Sequence, residues 1–315
     1  MSCLSKVLIT APWFTKEHLE RLKERFSVTT NTLKRWFTED ELIDIIGCYD
    51  AVIAGSDPFT EAVVEKADKL NIIARRGIGY DNIDLAACKR RKILVTYTPI
   101  PEEHQAVAEF TVALMLDTTK NITRSNNSLR KGSWEREAFR GTNIKGKTVG
   151  IVGLGHIGRI VAQIISAFGA NVIYHDPYVS CSEFKAVDLL ELFSTADIVS
   201  VHVPKTHETE HFITSKLLDR MKPGSFFVNT SRSTAVVHDD LLMAIESRRL
   251  AAAAIDVFDQ EPPRHEPLLG LDNVVTTPHI AGLTVEAFSA IDSLCVNNVI
   301  KVLEGKGEPE FILDS

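Results

Sequence analysis

Short apolar runs alternate with stretches of helical periodicity along residues 1–100. Uninterrupted apolar runs of this kind are typical of buried strands. The predicted strands are Lys6–Ile9, Ser27–Thr30, Ala51–Ala54, Ile72–Ala74 and Ile93–Thr96, and the predicted helices are Lys16–Arg25, Glu39–Ile46, Glu61–Lys66 and Ile83–Lys89. Because strands and helices alternate so regularly, this part of the chain is predicted to form a small α/β domain with a parallel sheet.

The alternation breaks at Thr98–Pro101 and resumes after a long apolar helix predicted at Ala106–Leu116. Further strands are predicted at Thr148–Val152, Asn171–His175, Asp197–Val203, Ser225–Asn229, Ala251–Asp256 and Val274–Thr276, and further helices at Thr214–Met221, Asp239–Ser247 and Thr284–Leu303. We expect the last helix to return to the first domain. The prediction is therefore a discontinuous domain of residues 1–100 with 290–315, and a second α/β domain of residues 101–289.

A glycine-rich turn follows the first strand of the second domain. Gly153, Gly155 and Gly158 have the spacing GxGxxG and lie between that strand and an apolar-periodic helix. In such a turn the first glycine permits the bend, the second lets backbone approach a pyrophosphate, and the third lets helix and strand pack closely. The N–H groups at the helix start then face the phosphates. The turn predicts a dinucleotide site, with a ligand-free structural unit as the alternative.

Asp176 is placed to select the cofactor. It closes a predicted strand 18 residues after Gly158, where a carboxylate can accept hydrogen bonds from a ribose diol. Pro177 and Tyr178 follow it, so no arginine is at hand for a 2′-phosphate. The predicted cofactor is therefore NAD rather than NADP.

Composition narrows the class of protein. The chain has 315 residues with an ordinary hydrophobic share of 44%, and its formal net charge of −7 argues against binding nucleic acid through phosphate neutralisation. Its five scattered cysteines form no CxxC pair and fit a reducing compartment. The N-terminus resembles a strand and not a signal peptide, and no apolar run approaches the ~18 residues of a membrane span. We expect a cytoplasmic protein with no nucleic-acid or membrane partner.

Three polar side chains stand where successive strands of the second domain end: Arg232, Glu261 and His279. In a parallel sheet all three share the cofactor edge. Reducing a ketone requires a proton at oxygen as hydride reaches carbon, and a histidine can supply it near neutral pH. A carboxylate beside it favours the imidazolium, and an arginine can bind a substrate carboxylate through two parallel hydrogen bonds. Singly, each residue could be a loop cap, a surface charge or an ion-pair partner, but together they predict hydride-transfer chemistry.

A loop in the first domain is a second candidate for ligand binding. Arg75, Arg76, Gly77 and Ile78 follow a predicted strand, at the sheet edge where open α/β sheets bind ligands. The glycine can bring backbone N–H groups to an anion, and the arginines add positive charge. A plain turn between strand and helix is the alternative.

One motif points elsewhere. His207–His211 reads HETEH, the HExxH pattern of zinc peptidases. Zinc binding would need both histidines on one helical face, whereas this motif follows a strand end and precedes the predicted helix cap at Thr214 or Ser215. We therefore predict that it lies in a loop and that the protein has no metal site.

The motifs together resemble those of the D-isomer-specific 2-hydroxyacid dehydrogenases over nearly the whole chain. The matching segments are Gly77–Asp84, Val107–Glu109, Gly146–Gly155, Val201–Pro204, Asn229–Arg232, Asp256–Pro262 and Pro278–Ala281. The resemblance implies two Rossmann-like or flavodoxin-like α/β domains, a substrate domain and an NAD domain, with an active-site cleft between them. It also implies a homodimer, and the polar segment Ser128–Asn143 is a candidate arm for the partner subunit to cover.

The resemblance also implies residue roles. Arg232 would bind the 2-keto or 2-hydroxy acid, and His279 paired with Glu261 would be the acid/base. Cofactor contacts implied by it, with the strand-end residues beside them, are at His156, Ile157, Asp176, His202, Val203, Pro204, Thr209, Thr230, Ser231, Asp256, His279 and Gly282.

Within the family the chain is most similar to single-module D-3-phosphoglycerate dehydrogenases. Arg75 matches a phosphate-binding arginine there, and Arg136 matches one that the partner subunit contributes, whereas a further one is replaced near Ala54. A phosphorylated three-carbon acid is the leading expected substrate. A hydroxypyruvate or glyoxylate reductase, or a D-lactate dehydrogenase, is the alternative. The non-enzymatic alternative is an NAD-sensing protein like the corepressors that share this fold.

Overall fold

The computed structural model describes residues 4–313 and divides the chain into two compact units. Unit 1 contains the residues up to Glu103 and those from Leu283 onward, and unit 2 is His104–Gly282. These boundaries lie three and seven residues from the predicted domain limits at 100 and 290. Cys3 lies outside the described residues, and the described cysteines, Cys48, Cys88, Cys181 and Cys295, are free thiols.

Unit 1 contains a parallel sheet whose strands alternate with helices along the chain. Its strands are β1 (Lys6–Ile9), β2 (Ser27–Thr30), β3 (Ala51–Ala54), β4 (Ile72–Arg75) and β5 (Leu94–Thr96), and the helices between them are α1 (Lys16–Lys23), α2 (Glu39–Ile45), α3 (Glu61–Glu65) and α4 (Leu85–Arg91). The next helix, α5 (Pro101–Lys120), begins in unit 1 and belongs to unit 2 from His104 onward. In the described residues the sheet has five strands in the order β2-β1-β3-β4-β5. This is the doubly wound, flavodoxin-like order, whose ligand edge is at the carboxyl ends of the strands.

Unit 2 holds a second parallel sheet. Its strands are β6 (Thr148–Val152), β7 (Asn171–His175), β8 (Lys185–Ala186), β9 (Ile198–Val201), β10 (Ser225–Asn229), β11 (Leu250–Ile255) and β12 (Val274–Thr276), and the helices are α6 (Ile122–Arg130), α7 (His156–Ala167), α8 (Leu189–Thr195), α9 (Ser215–Leu218) and α10 (His238–Glu246). The described strands follow the order β12-β11-β10-β9-β6-β7-β8. Because the chain winds one way from β6 to β8 and the other way from β9 onward, the sheet has its topological switch point between β6 and β9.

Apolar side chains cover both faces of the unit 2 sheet. One core cluster includes Phe193, Phe227 and Leu241, and the other includes Val112, Ile151 and Val161. Strands buried on both faces need near-continuous apolar sequence. This explains why the apolar runs of the sequence predicted the strands of this sheet so closely.

The last helix, α11 (Val285–Glu304), belongs to unit 1, where it packs against β3, β4 and α1. Its Asp292 is fully buried and receives a hydrogen bond from the Thr15 N–H at 2.8 Å. α11 thus lies in unit 1 together with the N-terminal part of the chain.

Several helices differ from the sequence prediction: α8 was not predicted, α4 and α9 have shifted bounds, and α5 and α6 show the physical reasons most clearly. α5 begins at Pro101, five residues before the predicted start, because proline suits the first helical position and Glu102 and Glu103 favour the first turn. α6 was not predicted, since all its residues are at least partly exposed and it carries no apolar stripe for the chain's own core. Among residues 4–313, no helix combines the length and the apolar character needed to cross a bilayer.

Candidate active site

The turn between β6 and α7 forms a narrow backbone cradle. Gly153 has φ +90°, and a Cβ there would lie 2.4 Å from the carbonyl oxygen of His202. A Cβ on Gly158 would lie 2.1 Å from the Gly153 carbonyl oxygen, so strand and helix approach as only glycine allows. The Cβ position of Gly155 meets no atom within 4 Å in the described residues, which leaves the α7 N-terminus open to a ligand. His156 and Ile157 begin that helix, and their N–H groups need partners.

Asp176 directly follows β7 at the same sheet edge. Its Oδ2 accepts a hydrogen bond from the Leu154 N–H at 2.8 Å, and its Oδ1 accepts from the N–H groups of Tyr178 and Val179 at 2.9 and 3.0 Å. These bonds fix the carboxylate beside the glycine cradle. A carboxylate oxygen has more than one lone pair, so the group can still accept from a ribose hydroxyl.

The segment after β9 also borders the cradle. His202 N–H donates to the Val152 carbonyl at 2.8 Å, and its Nε2 lies 2.9 Å from Ser200 Oγ. Val203 and Pro204 continue from it, and the hydroxyl of Thr209 donates back to the Pro204 carbonyl at 2.6 Å. Burial lowers the pKa of His202 to about 3, so this imidazole is neutral at neutral pH.

Asn229 shapes the loop after β10. Its Oδ1 accepts from both the N–H and the hydroxyl of Ser231, at 3.0 and 2.8 Å, and its Nδ2 donates to the Arg232 carbonyl at 2.9 Å. Thr230 is buried, with its hydroxyl 2.7 Å from that of Thr111. The loop therefore holds the half-buried Arg232 at the carboxyl edge of the sheet.

A buried carboxylate, Asp256, organises the loop after β12. Its Oδ1 accepts from the Thr277 hydroxyl at 2.5 Å and the Ile280 N–H at 2.9 Å, and its Oδ2 accepts from the Ala281 N–H at 2.9 Å. Burial raises the pKa of Asp256, against these hydrogen bonds. His279 has φ +53° and its N–H donates to the Asp256 carbonyl at 2.9 Å. Asp256 thus positions the segment that presents His279, and Gly282 ends it.

His279 and Glu261 form a direct pair. The Nδ1 of His279 lies 2.8 Å from Glu261 Oε2 and 3.0 Å from Oε1. Burial opposes ionisation of Glu261, but the hydrogen bond and charge of His279, together with the charge of Arg232, outweigh it and lower the Glu261 pKa. The half-exposed imidazole keeps its Nε2 away from this bond. The structure therefore brings together all three predicted polar residues.

The candidate ligand loop of unit 1 follows β4. The Gly77 N–H donates to the Thr98 hydroxyl oxygen at 2.8 Å, its φ is +143°, and the Arg75 guanidinium lies over it and donates to the Arg76 carbonyl. Ile78 beside it is half-buried. Arg76 points into unit 1, where its Nε donates to Asp292 Oδ1 at 2.5 Å and its guanidinium lies 4.4 Å from the Phe288 ring centre. This placement favours a structural role for Arg76 over contact with substrate.

The HETEH segment and Arg136 both lie outside the α-helices and strands. His207–His211 lies in a turn, and within residues 4–313 no group of three His, Cys, Asp or Glu side chains is arranged to hold a metal ion. Arg136 is exposed in a short 3₁₀ helix, Arg136–Phe139.

One aromatic contact at the site was not predicted. The ring of buried His104, in the first turn of α5, stacks on that of His156 with centres 4.7 Å apart and planes 9° apart. Burial and then the charge of His156 lower the pKa of His104. The two residues are 52 positions apart in the sequence, so no local pattern could reveal the stack.

Comparison with known proteins identifies the family. Residues 112–281 match the family described as D-isomer specific 2-hydroxyacid dehydrogenase, NAD binding domain. The chain belongs to the D-isomer-specific 2-hydroxyacid dehydrogenase family. The residues of this NAD-binding domain include the glycine cradle, Asp176, Arg232, Glu261 and His279.

Individual members of the family are similar over most of this chain. The D-3-phosphoglycerate dehydrogenase of Methanocaldococcus jannaschii is 37% identical over 308 residues, covering 96% of this chain and 58% of that protein. The hydroxypyruvate reductase of Thermotoga maritima is 39% identical over 287 residues, covering 89% and 92%. The crystal structure of the TT0316 protein from Thermus thermophilus superposes with a TM-score of 0.91 at 32% identity, covering 98% and 100%. This chain thus spans little more than half the length of its phosphoglycerate dehydrogenase relative.

Proposed function

We propose that this protein is an NAD-dependent oxidoreductase that interconverts a D-2-hydroxy acid and its 2-keto acid. The observation that carries the proposal is the Glu261–His279 pair, which lies on the same sheet edge as Arg232 and the glycine cradle. Family membership supports the same reaction.

The residues of unit 2 fit NAD. The cradle at Gly153–Gly158 has room for a pyrophosphate only because side chains are missing there, and the open α7 N-terminus attracts its charge. Asp176 lies at the strand end where its carboxylate can accept hydrogen bonds from the adenosine ribose. When bound, the nicotinamide supplies the hydride acceptor or donor.

The polar residues then handle the substrate and its proton. Arg232 binds the substrate carboxylate, which orients the adjacent carbonyl. His279 gives a proton from Nε2 to the carbonyl oxygen in reduction and removes it in oxidation. Glu261, bonded to Nδ1, fixes the ring and stabilises the charged form. Asp256 holds the loop that presents His279.

For the substrate, we propose a phosphorylated three-carbon acid, bound in part by Arg75, by the backbone of Gly77 and Ile78, and by Arg136. The positive charge of Arg75 beside the Gly77 backbone supports this, as does the similarity to D-3-phosphoglycerate dehydrogenases. Hydroxypyruvate, glyoxylate and pyruvate are the alternatives, and the similarity to a hydroxypyruvate reductase favours the first of them.

The test is loss of NADH absorbance with 3-phosphohydroxypyruvate, hydroxypyruvate, glyoxylate, pyruvate and a bulky 2-keto acid. Reduction of at least one supports the proposal, and preference for the phosphorylated acid supports its finer form. His279→Ala should lower turnover at least about 100-fold while NADH still binds. NADH binding without turnover on any of the acids would favour an NAD-sensing role.

We also propose a homodimer in which a partner subunit covers α6 and the segment after it. Ile122 and Leu129 are each 55% exposed and Trp134 is 77% exposed, so this stretch presents apolar area that a partner subunit could bury. Light scattering coupled to size-exclusion chromatography should give twice the mass of the 34.9 kDa chain, and a monomer would contradict the proposal.

The free thiols support a reducing, cytoplasmic location.

A further inference from the structure

A glutamate of the HETEH loop, Glu208, makes a hydrogen bond to a residue outside that loop. The hydroxyl of Tyr178 donates to Glu208 Oε2 at 2.5 Å. Tyr178 lies two residues after Asp176, and its own N–H donates to Asp176 Oδ1 at 2.9 Å. The contact therefore ties the loop after β9 to the residues that follow β7, beside the ribose carboxylate.

Hydrogen bonds of neighbouring residues fix the turn that carries Glu208. The hydroxyl of Thr209 donates to the Pro204 carbonyl at 2.6 Å and accepts from the Thr206 N–H at 2.9 Å. The N–H of His211 then donates to the Thr234 carbonyl at 2.6 Å, which fixes the end of the turn. Glu208 is exposed, yet the turn on which it stands is well defined.

The charges of this cluster act on one another. The hydrogen bond to Glu208 raises the pKa of Tyr178, and the negative charges of Glu208 and Asp176 raise it further. Tyr178 therefore donates hydrogen bonds to two carboxylates, to Glu208 through its hydroxyl and to Asp176 through its backbone N–H. NADP differs from NAD by a phosphate on the ribose hydroxyl that Asp176 would bind.

We propose that Glu208, held over the adenosine ribose by Tyr178, is a second carboxylate that excludes the 2′-phosphate of NADP. The inference rests on the proposed NAD site and adds a specificity-determining residue to it. Asp176 would discriminate by direct contact with the ribose, whereas Glu208 repels the phosphate at longer range. Repulsion of that kind disfavours the wrong cofactor without adding affinity for the right one.

The test measures binding and not turnover. NADH and NADPH are titrated into the 315-residue protein and followed by nucleotide fluorescence. Glu208→Gln should tighten NADPH about fivefold, as expected for a double negative charge about 8 Å away in water, and leave NADH within about twofold. Tyr178→Phe should act in the same direction by releasing Glu208. The matched control is Glu210→Gln, which removes the same charge two residues along the same turn and should leave the ratio of the two constants unchanged.

Salt supplies a second readout, because interactions between exposed charges are screened over about 3 Å at 1 M salt. The gain in Glu208→Gln should disappear in 1 M NaCl. An unchanged ratio in Glu208→Gln, or an equal change in Glu210→Gln, would overturn the inference while the NAD site stands. Failure of the native protein to bind either nucleotide would instead overturn the proposed function, and this inference with it.

Discussion

Glu261 is the hydrogen-bond partner that an acid/base histidine requires. Its two oxygens lie 2.8 and 3.0 Å from one nitrogen of His279, so the ring has a fixed orientation and a defined proton position. The lowered pKa of Glu261 keeps the carboxylate charged as the pH falls below its usual range near 4.5. Glu261 therefore stays negatively charged under conditions in which an ordinary glutamate would begin to take up a proton.

Glu261→Gln tests this at one residue, since it removes the charge and preserves the shape. Without the carboxylate the ring of His279 loses the charged hydrogen-bond partner that orients it, so kcat/KM for keto-acid reduction should fall at least about 10-fold while NADH binding stays within about twofold. Steady-state kinetics and NADH titration of native and variant protein measure both quantities. Glu261→Asp, which keeps the charge, should retain more activity than Glu261→Gln, and an unchanged kcat/KM in Glu261→Gln would rule out this role for Glu261.

His202 makes a different prediction, about stability. Burial lowers its pKa to about 3, from 6.5 for the free side chain. The unfolded chain therefore binds a proton between these values while the folded protein does not, so the free energy of unfolding falls as the pH drops below 6.5. The slope contributed by this group is at most about 1.4 kcal/mol per pH unit.

Urea unfolding at pH 7.5, 6.5 and 5.5 measures that slope. His202→Gln cannot take up the proton and should lose less stability than the native protein between pH 6.5 and 5.5. Other titrating groups contribute equally to both proteins and cancel in the difference. Parallel stability curves for the two proteins would show that His202 does not control this dependence.

At the scale of elements, the β6–α7 turn separates two reasons for glycine. A Cβ at Gly158 would lie 2.1 Å from the Gly153 carbonyl oxygen, whereas the Cβ position of Gly155 is open in the described structure and its φ is an ordinary −68°. Gly158 is thus required by the protein's own packing. Gly155 is required only by the approach of a ligand to the backbone.

Gly158→Ala should therefore lower both stability, by about 1–3 kcal/mol for overpacking, and NADH binding. Gly155→Ala should change the free energy of unfolding by no more than about 0.5 kcal/mol, as surface substitutions do. The same variant should strongly weaken the binding of NADH. Urea titration and NADH fluorescence on the same samples check both. Equal stability losses in the two variants would contradict this division.

Sequence pattern predicted the strands better than the helices for a physical reason. β1 and β10 have the predicted bounds because a strand buried on both faces has an unbroken apolar run. The exposed α6 lacks such a signal. Likewise, the meeting of Glu261 and His279 follows from strand ends sharing one edge. The Tyr178–Glu208 and His104–His156 contacts depend on loop and helix placements that no local spacing encodes.

At the scale of the molecule, unit 1 is built from two segments of the chain that are far apart in sequence. Arg76 and Asp292, 216 residues apart, join them through an ion pair whose side chains are 5% and 0% exposed. Unit 2 is continuous and contains the whole glycine cradle. The stability of the first unit therefore depends on the last helix, while the proposed cofactor site does not.

Asp292→Asn tests this dependence, because it leaves the Arg76 charge buried without its carboxylate. Removing one partner of a buried pair costs about 3–5 kcal/mol, and the loss should be seen in the fluorescence of Trp13 and Trp36, which lie 5.7 Å apart in unit 1. The dissociation constant for NADH, measured below the unfolding transition, should stay within about twofold, because the proposed cofactor site lies in unit 2 and Asp292 lies in unit 1. Lys301→Gln is the control: it breaks the solvent-accessible ion pair between Lys301, on the same helix, and Glu310, beyond the end of that helix, and should cost no more than about 1 kcal/mol. If Asp292→Asn cost no more than Lys301→Gln, the buried pair would not be what joins the last helix to unit 1.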